Sequence, residues 1–206
     1  MSLNLKVYLE GFWNGSTQVT DTAIVYLASG TTPYAYVDTA KVVLSATGTA
    51  SMNFNRVTTG SYYIVVNHRN HLETWSATAQ AFVGGTPLSY DFTTASTQAF
   101  GGNMKQVGSV WVLYGGDGNR DGSIDASDIG LFVAQFGNLG YLSCDFNGDG
   151  DVNASDVLII SNNFGLIKIT PVAEPLSPET LKNRKAQIEN AVKTYNRSKD
   201  NKKKSN

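Results

Sequence analysis

One cysteine, Cys144, stands among 206 residues, so no internal disulfide can staple this chain and thiol usage says nothing of its redox compartment. Histidine is almost as scarce, with His68 and His71 alone, and a Ser-His-Asp or Cys-His catalytic set has little to draw on. We expect no enzyme. No apolar run approaches the roughly 18 residues of a membrane-spanning helix, which excludes a helical membrane span. Charge is low too, at 16% beside 41% hydrophobic residues, and suits a globular body with a lightly charged surface. The start, Met1-Ser-Leu-Asn-Leu-Lys, has no charged n-region, apolar h-region or cleavage site. The expectation is therefore an intracellular protein, or a mature form or fragment of an exported one. A scaffold outside cells without disulfides needs another staple, and metal is the usual substitute.

The net charge of −1 conceals three different segments. Residues 1–115 balance five acids with five bases, residues 116–166 set eight Asp against Arg120 alone, and residues 167–206 carry ten Lys or Arg against four acids. Such asymmetry marks segments with separate chemistry.

Residues 1–115 show short alternating runs punctuated by turn residues: Leu3-Leu5-Val7-Leu9, Ala23 to Leu27, Lys41 to Leu44, Ala50-Met52-Phe54, Tyr62 to Val66, Ala77 to Phe82, Leu88 to Phe92 and Gln106 to Leu113. Period-2 runs with no amphipathic helix between them predict an antiparallel β-sandwich. The stretch from Val57 to Val66, with its Thr-Gly-Ser-Tyr core, resembles a strand start of the carboxypeptidase-regulatory-like and immunoglobulin-like sandwiches of secreted bacterial proteins. After that strand, His68-Arg-Asn-His71-Leu-Glu73 offers two His and a Glu to zinc, but the stretch reads better as a solvated polar loop. Trp13, Trp75, Tyr34 and Tyr36 offer a carbohydrate platform if exposed, with core packing the plainer reading.

The acidic segment carries the sharpest signal. Asp117, Asn119, Asp121, Ser123, Asp125 and Asp128 occupy positions 1, 3, 5, 7, 9 and 12 of a loop with Gly122 at position 6. Asp145, Asn147, Asp149, Asp151, Asn153 and Asp156 repeat the pattern around Gly150. Both match the EF-hand type of calcium loop except that Asp replaces Glu at position 12. Calcium takes six to eight oxygens, so alternate side chains must turn inward while position 7 offers its backbone carbonyl and position 9 acts through water. Ile124 and Val152 are expected to pair backbones between the loops. Two Ca²⁺ ions would offset the repulsion of crowded carboxylates, coupling binding to folding. Helical stretches follow, Asp128 to Phe136 and Asp156 to Phe164, ended by Gly137 and Gly165.

A loop-plus-helix unit without an entering helix, duplicated within residues 116–166, resembles a type I dockerin. The resemblance implies recognition of a cohesin-like or other β-sheet protein through the pairs preceding the last ligand, Ala126-Ser127 and Ala154-Ser155, in either of two orientations. Where cellulosomal members often carry a Lys-Arg pair, this chain has Val133-Ala134 and Ser161-Asn162, so either small and apolar contacts read a cohesin-like partner or the partner is not an ordinary cohesin. In residues 167–206, Pro171 to Pro178 reads as a linker. Ser177-Pro178-Glu179 then starts a marginal helix with the stripe Leu181, Ile188, Val192 and Tyr195, and a solvated basic tail follows it.

The expected architecture is thus mainly β with a small α module: a sandwich over residues 1–115, a dockerin-like pair of calcium units over 116–166, and a basic C-terminal tail over 167–206. The expected role is extracellular or cell-surface anchoring through a protein partner, with no nucleic-acid binding. The alternatives are a self-assembling surface or filament subunit, with Leu3 to Leu9 offered for strand addition if it lies at a sheet edge, and a carbohydrate-binding sandwich with polysaccharide association.

Overall fold

The computed structural model describes residues 1–171; the expected linker beyond Pro171, the marginal helix and the basic tail lie outside the described residues. Ten strands precede two helices. They are β1 Ser2–Lys6, β2 Asp21–Ser29, β3 Tyr36–Leu44, β4 Thr49–Asn53, β5 Gly60–His68, β6 His71–Trp75, β7 Gln80–Phe82, β8 Leu88–Asp91, β9 Lys105–Val107 and β10 Val110–Val112, then α1 Ala126–Gln135 and α2 Ala154–Asn163. The mainly β class with a small α module is the one the alternation and the loop-helix repeats predict.

One large sheet has the order β4-β1-β8 and the other β3-β2-β5-β6, with β7 also on β5, while β9 and β10 form a separate two-stranded pair. Pairing is antiparallel except between β1 and β8, which run parallel. The inward residues of both sheets, among them Leu3, Leu5, Val25, Leu27, Ile64, Val66, Phe82 and Tyr90, share one buried core. Period-2 alternation fits this: Ala23, Val25 and Leu27 face in while Thr22, Ile24 and Tyr26 are half-buried on the outer side. β1 lies between β4 and β8, so both its edges are already hydrogen-bonded and strand addition there is closed.

A second core holds Leu72, Ile124, Phe132, Cys144, Phe146, Val152 and Ile160. Ile124 and Val152 are buried as expected, but their backbones do not pair with each other. Ile124 N–H donates to Leu166 and its carbonyl accepts from Gly165, while Val152 N–H donates to Asn138 and its carbonyl accepts from Gly137. Each loop is therefore stitched to the chain leaving the other loop's helix, which ties the two repeats crosswise. Residues 1–171 fall within one compact unit.

Candidate metal and partner site

In each acidic loop, side-chain oxygens accept from the backbone two residues ahead. Asn119 Oδ1 takes Asp121 N–H and Asp121 Oδ1 takes Ser123 N–H, both at 2.9 Å. Asn147 and Asp149 repeat this with Asp149 N–H and Asp151 N–H, again at 2.9 Å. Such turns wind the chain around the loop centre, and Gly122 and Gly150 supply the left-handed residue, with φ of 90° and 84°. Ser123 and Asp151, at position 7, place their backbones in bridges to Ile167 and Leu139.

Positions 9 and 12 cap the helices. Asp125 accepts from Ser127 N–H at 2.8 Å and Asn153 from Ser155 N–H at 2.7 Å, while Asp128 and Asp156 each accept from the N-cap backbone at 2.9 Å. These are reciprocal capping boxes, and they start each helix two residues before the apolar periodicity does. Asp128 also accepts from Asn119 N–H at 3.1 Å, and Asp156 from Phe146 and Asn147 N–H at 2.7 and 3.1 Å. The last carboxylate thus closes each loop onto its beginning. Both are fully buried, and burial raises both above the usual carboxylate range.

Asp117 tests whether these residues suit a cation. It is 2% exposed, its Oδ2 accepts from Gly122 N–H at 3.1 Å, and its Oδ1 is buried with no hydrogen-bond partner. Burial, and next the charge of Asp128, push its carboxyl up to about 7. A buried carboxylate oxygen without a donor is costly unless a cation faces it. Among the described residues no three His, Cys, Asp or Glu side chains converge on a ready-made metal site. The loops offer amide oxygens beside their carboxylates, Asn119 in the first and Asn147 and Asn153 in the second, a donor set that suits a hard cation better than zinc.

Ala126, Ser127, Ala154 and Ser155 are all exposed. The surroundings of the two pairs differ. Along α1 and just beyond it, Ile129, Val133, Phe136 and Leu139 are exposed at 40%, 67%, 57% and 75%, whereas α2 shows a single large apolar residue, Leu158, at 62%. Ser127 Oγ is also engaged, donating to Asp125 and accepting from Asn119.

The stretch from His68 to Glu73 is not a solvated loop. It forms a hairpin between β5 and β6 in which His68, Asn70, His71 and Leu72 are 0–1% exposed, and it plugs into the second core. His68 Nδ1 and His71 Nδ1 lie 2.9 Å apart, each within reach of Asn70 Oδ1. Glu73 turns elsewhere, to Trp75 Nε1–H and Asn67, so the trio does not converge on zinc. Asn70 donates to the Asp145 carbonyl at 2.6 Å and its own carbonyl accepts from Gly116. Arg69 reaches Asp145 from the same turn, and Glu10 accepts from Lys105, Asn163 and Gly115 N–H. Sequence reading missed these residues because their partners lie far away in the chain; the signal available was an unusual density of hydrogen-bonding side chains beside a strand.

Residues 115–165 match the family model of the dockerin type I domain. No curated protein matches the chain. Among solved structures, a C-terminal interface mutant of a type II cohesin-X-dockerin complex from Acetivibrio cellulolyticus aligns at 18% identity over 81% of this chain and 97% of that one, with a TM-score of 0.50. The N-terminal interface mutant of that complex aligns at the same identity and coverage with a TM-score of 0.45. At such identity the first likeness is one of fold. Around the dockerin-matching region, the aromatic residues considered for sugar binding are largely committed to packing. Trp75 is 4% exposed, Trp13 stacks on Tyr8 with ring centroids 3.9 Å apart, and Tyr34 packs edge-on against Tyr63. Tyr36 is 47% exposed and stacks on Tyr26.

Proposed function

We propose that residues 116–166 are a calcium-dependent protein-recognition module, that the sandwich of residues 1–115 is its rigid support, and that together they attach an extracellular protein to a cohesin-like partner. The supporting observation is the pairing of the two wired loops with an exposed, uncharged α1 face beside Ala126-Ser127. Asp117, Asn119, Asp121, the Ser123 carbonyl, Asp125 and Asp128 would hold one ion. Asp145, Asn147, Asp149, the Asp151 carbonyl, Asn153 and Asp156 would hold the other. The ions would supply positive charge that the segment lacks and fix the helices in register with the loops.

Calorimetry on the EGTA-stripped chain is expected to show calcium uptake near two equivalents; no uptake would remove the basis of the reading. Immobilised cohesins of types I and II should then retain the chain in calcium and release it in EGTA. Val133→Asp should weaken binding at least about tenfold, or about 1.4 kcal/mol, because it places a charge on the apolar face. Equal retention of wild type and this variant would move the partner face elsewhere.

A further inference from the structure

The two calcium-type loops are nearly the same in sequence, yet their first ligand positions sit in different surroundings. Asp145 accepts from Gly148 N–H at 2.7 Å and Gly150 N–H at 3.3 Å, and Arg69 Nη2 also donates to its Oδ2 at 3.2 Å. Arg69 is held in turn. Its Nε donates to Asp21 at 2.9 Å, its Nη1 donates to the Leu142 carbonyl, and its guanidinium lies 4.2 Å over the Tyr141 ring. The side chain is 12% exposed. Asn70, the next residue, holds the Asp145 carbonyl. A planar fork satisfied on three sides and backed by an aromatic ring is a fixed charge and not a wandering one.

Asp117 has no such neighbour among the described residues. Its Oδ2 accepts from Gly122 N–H, within its own loop. Arg120, inside that loop, forms no ion pair there, and Lys168, which crosses Gly122, places its ammonium 3.6 Å from Glu73 instead. The first loop therefore keeps its carboxylates without a compensating cation, and the second is given one by the sandwich.

Resting on the calcium reading above, we infer that Arg69 is a positioning residue of the second loop: a built-in cation that orients Asp145 and keeps this loop ordered before calcium arrives, while the first loop is ordered only by the ion. The two loops are then filled in unlike ways. One receives calcium in a shaped site, and the other folds around it.

Amide hydrogen exchange on the full chain tests this. In EGTA the wild type should keep Gly148 and Gly150 within about tenfold of their calcium-loaded rates, while Asn119 and Gly122 exchange at least about 100-fold faster than with calcium. Arg69→Gln should bring the second loop to the fast rates in EGTA, Arg69→Lys should restore part of the protection, and calcium should protect both loops in every variant. The amides of Val65 and Val66 report whether the sandwich stays folded. Should Arg69→Gln open it, Asp145→Asn removes the same contact from the other side and must release the second loop in EGTA. Equal loss of protection from both loops in wild type, or a second loop that stays protected in Arg69→Gln and Asp145→Asn, overturns the inference. If calcium protects neither loop, the calcium reading falls, and the EGTA comparison still decides the role of Arg69.

Discussion

Burial alone would raise Asp21, but His68, Tyr141 and Arg69 around it hold its carboxyl well below the usual range. Tyr141 donates to it at 2.6 Å, and its side chain is 5% exposed. A carboxylate depressed in the fold contributes stability that is complete above its unfolded value of 3.8 and is lost as pH falls further. His68 and His71 act in a higher window. Burial lowers both, and at His71 the charges of His68 and Arg69 add to this, so the folded protein holds neutral rings that the unfolded chain protonates below 6.5. With calcium filling the loops, so that their carboxylates stay ionised, unfolding free energies from urea titration are therefore expected to be level from pH 7 to 8. They should fall below pH 6.5 by up to about 1.4 kcal/mol per pH unit for each imidazole, and fall again below about pH 4 as Asp21 takes its proton. Asp21→Asn should cost about 3–5 kcal/mol at pH 7, because it removes the buried charge that Arg69 faces and one of the two oxygens that accept from Arg69 and Tyr141, and should remove the lowest part of the acid limb. A variant with wild-type midpoints at both ends would place the acid sensitivity elsewhere.

At the scale of the element, β6 matters most. All five residues of His71–Trp75 are buried, because one side faces the sheet and the hairpin tip faces the second core. Leu72 is fully buried there among residues of both loops and both helices. Leu72→Ala should destabilise the protein by about 2–5 kcal/mol, read by urea unfolding, although Leu72 precedes the first loop by more than forty residues. A loss below about 1 kcal/mol would mean that the core collapses easily around the gap. β6 also marks where the sequence was silent. Strands such as β2 and β4 alternate and were legible, and the loops were legible because calcium chemistry imposes fixed spacing. β6 has no alternation, being buried on both sides, and the polar residues at its start find partners far along the chain, His71 at the Glu10 carbonyl and the preceding Asn70 at the Asp145 carbonyl, to which no local pattern points. The expected single strand from Gln106 to Leu113 is instead the β9–β10 hairpin turning at Gly108, where φ is 61°. That glycine was visible, but the run of apolar residues around it outweighed it.

For the whole molecule, the hairpin plug, the Arg69 fork and the Glu10 cluster join the sandwich to the loop-helix repeats through buried contacts, not a flexible tether. With calcium present, heat or urea should unfold residues 1–171 in one transition, followed together by far-UV circular dichroism and tryptophan fluorescence. Two separated transitions would show that the halves hold themselves up independently. Cys144 gives the same seam a chemical clock. The thiol is 0% exposed, burial pushes it up to about 11, and it is packed in the core that Leu72 enters. A thiol reagent can reach it only when that core parts, so the rate at which this one sulfur is labelled counts openings that spectroscopy of the closed state never sees.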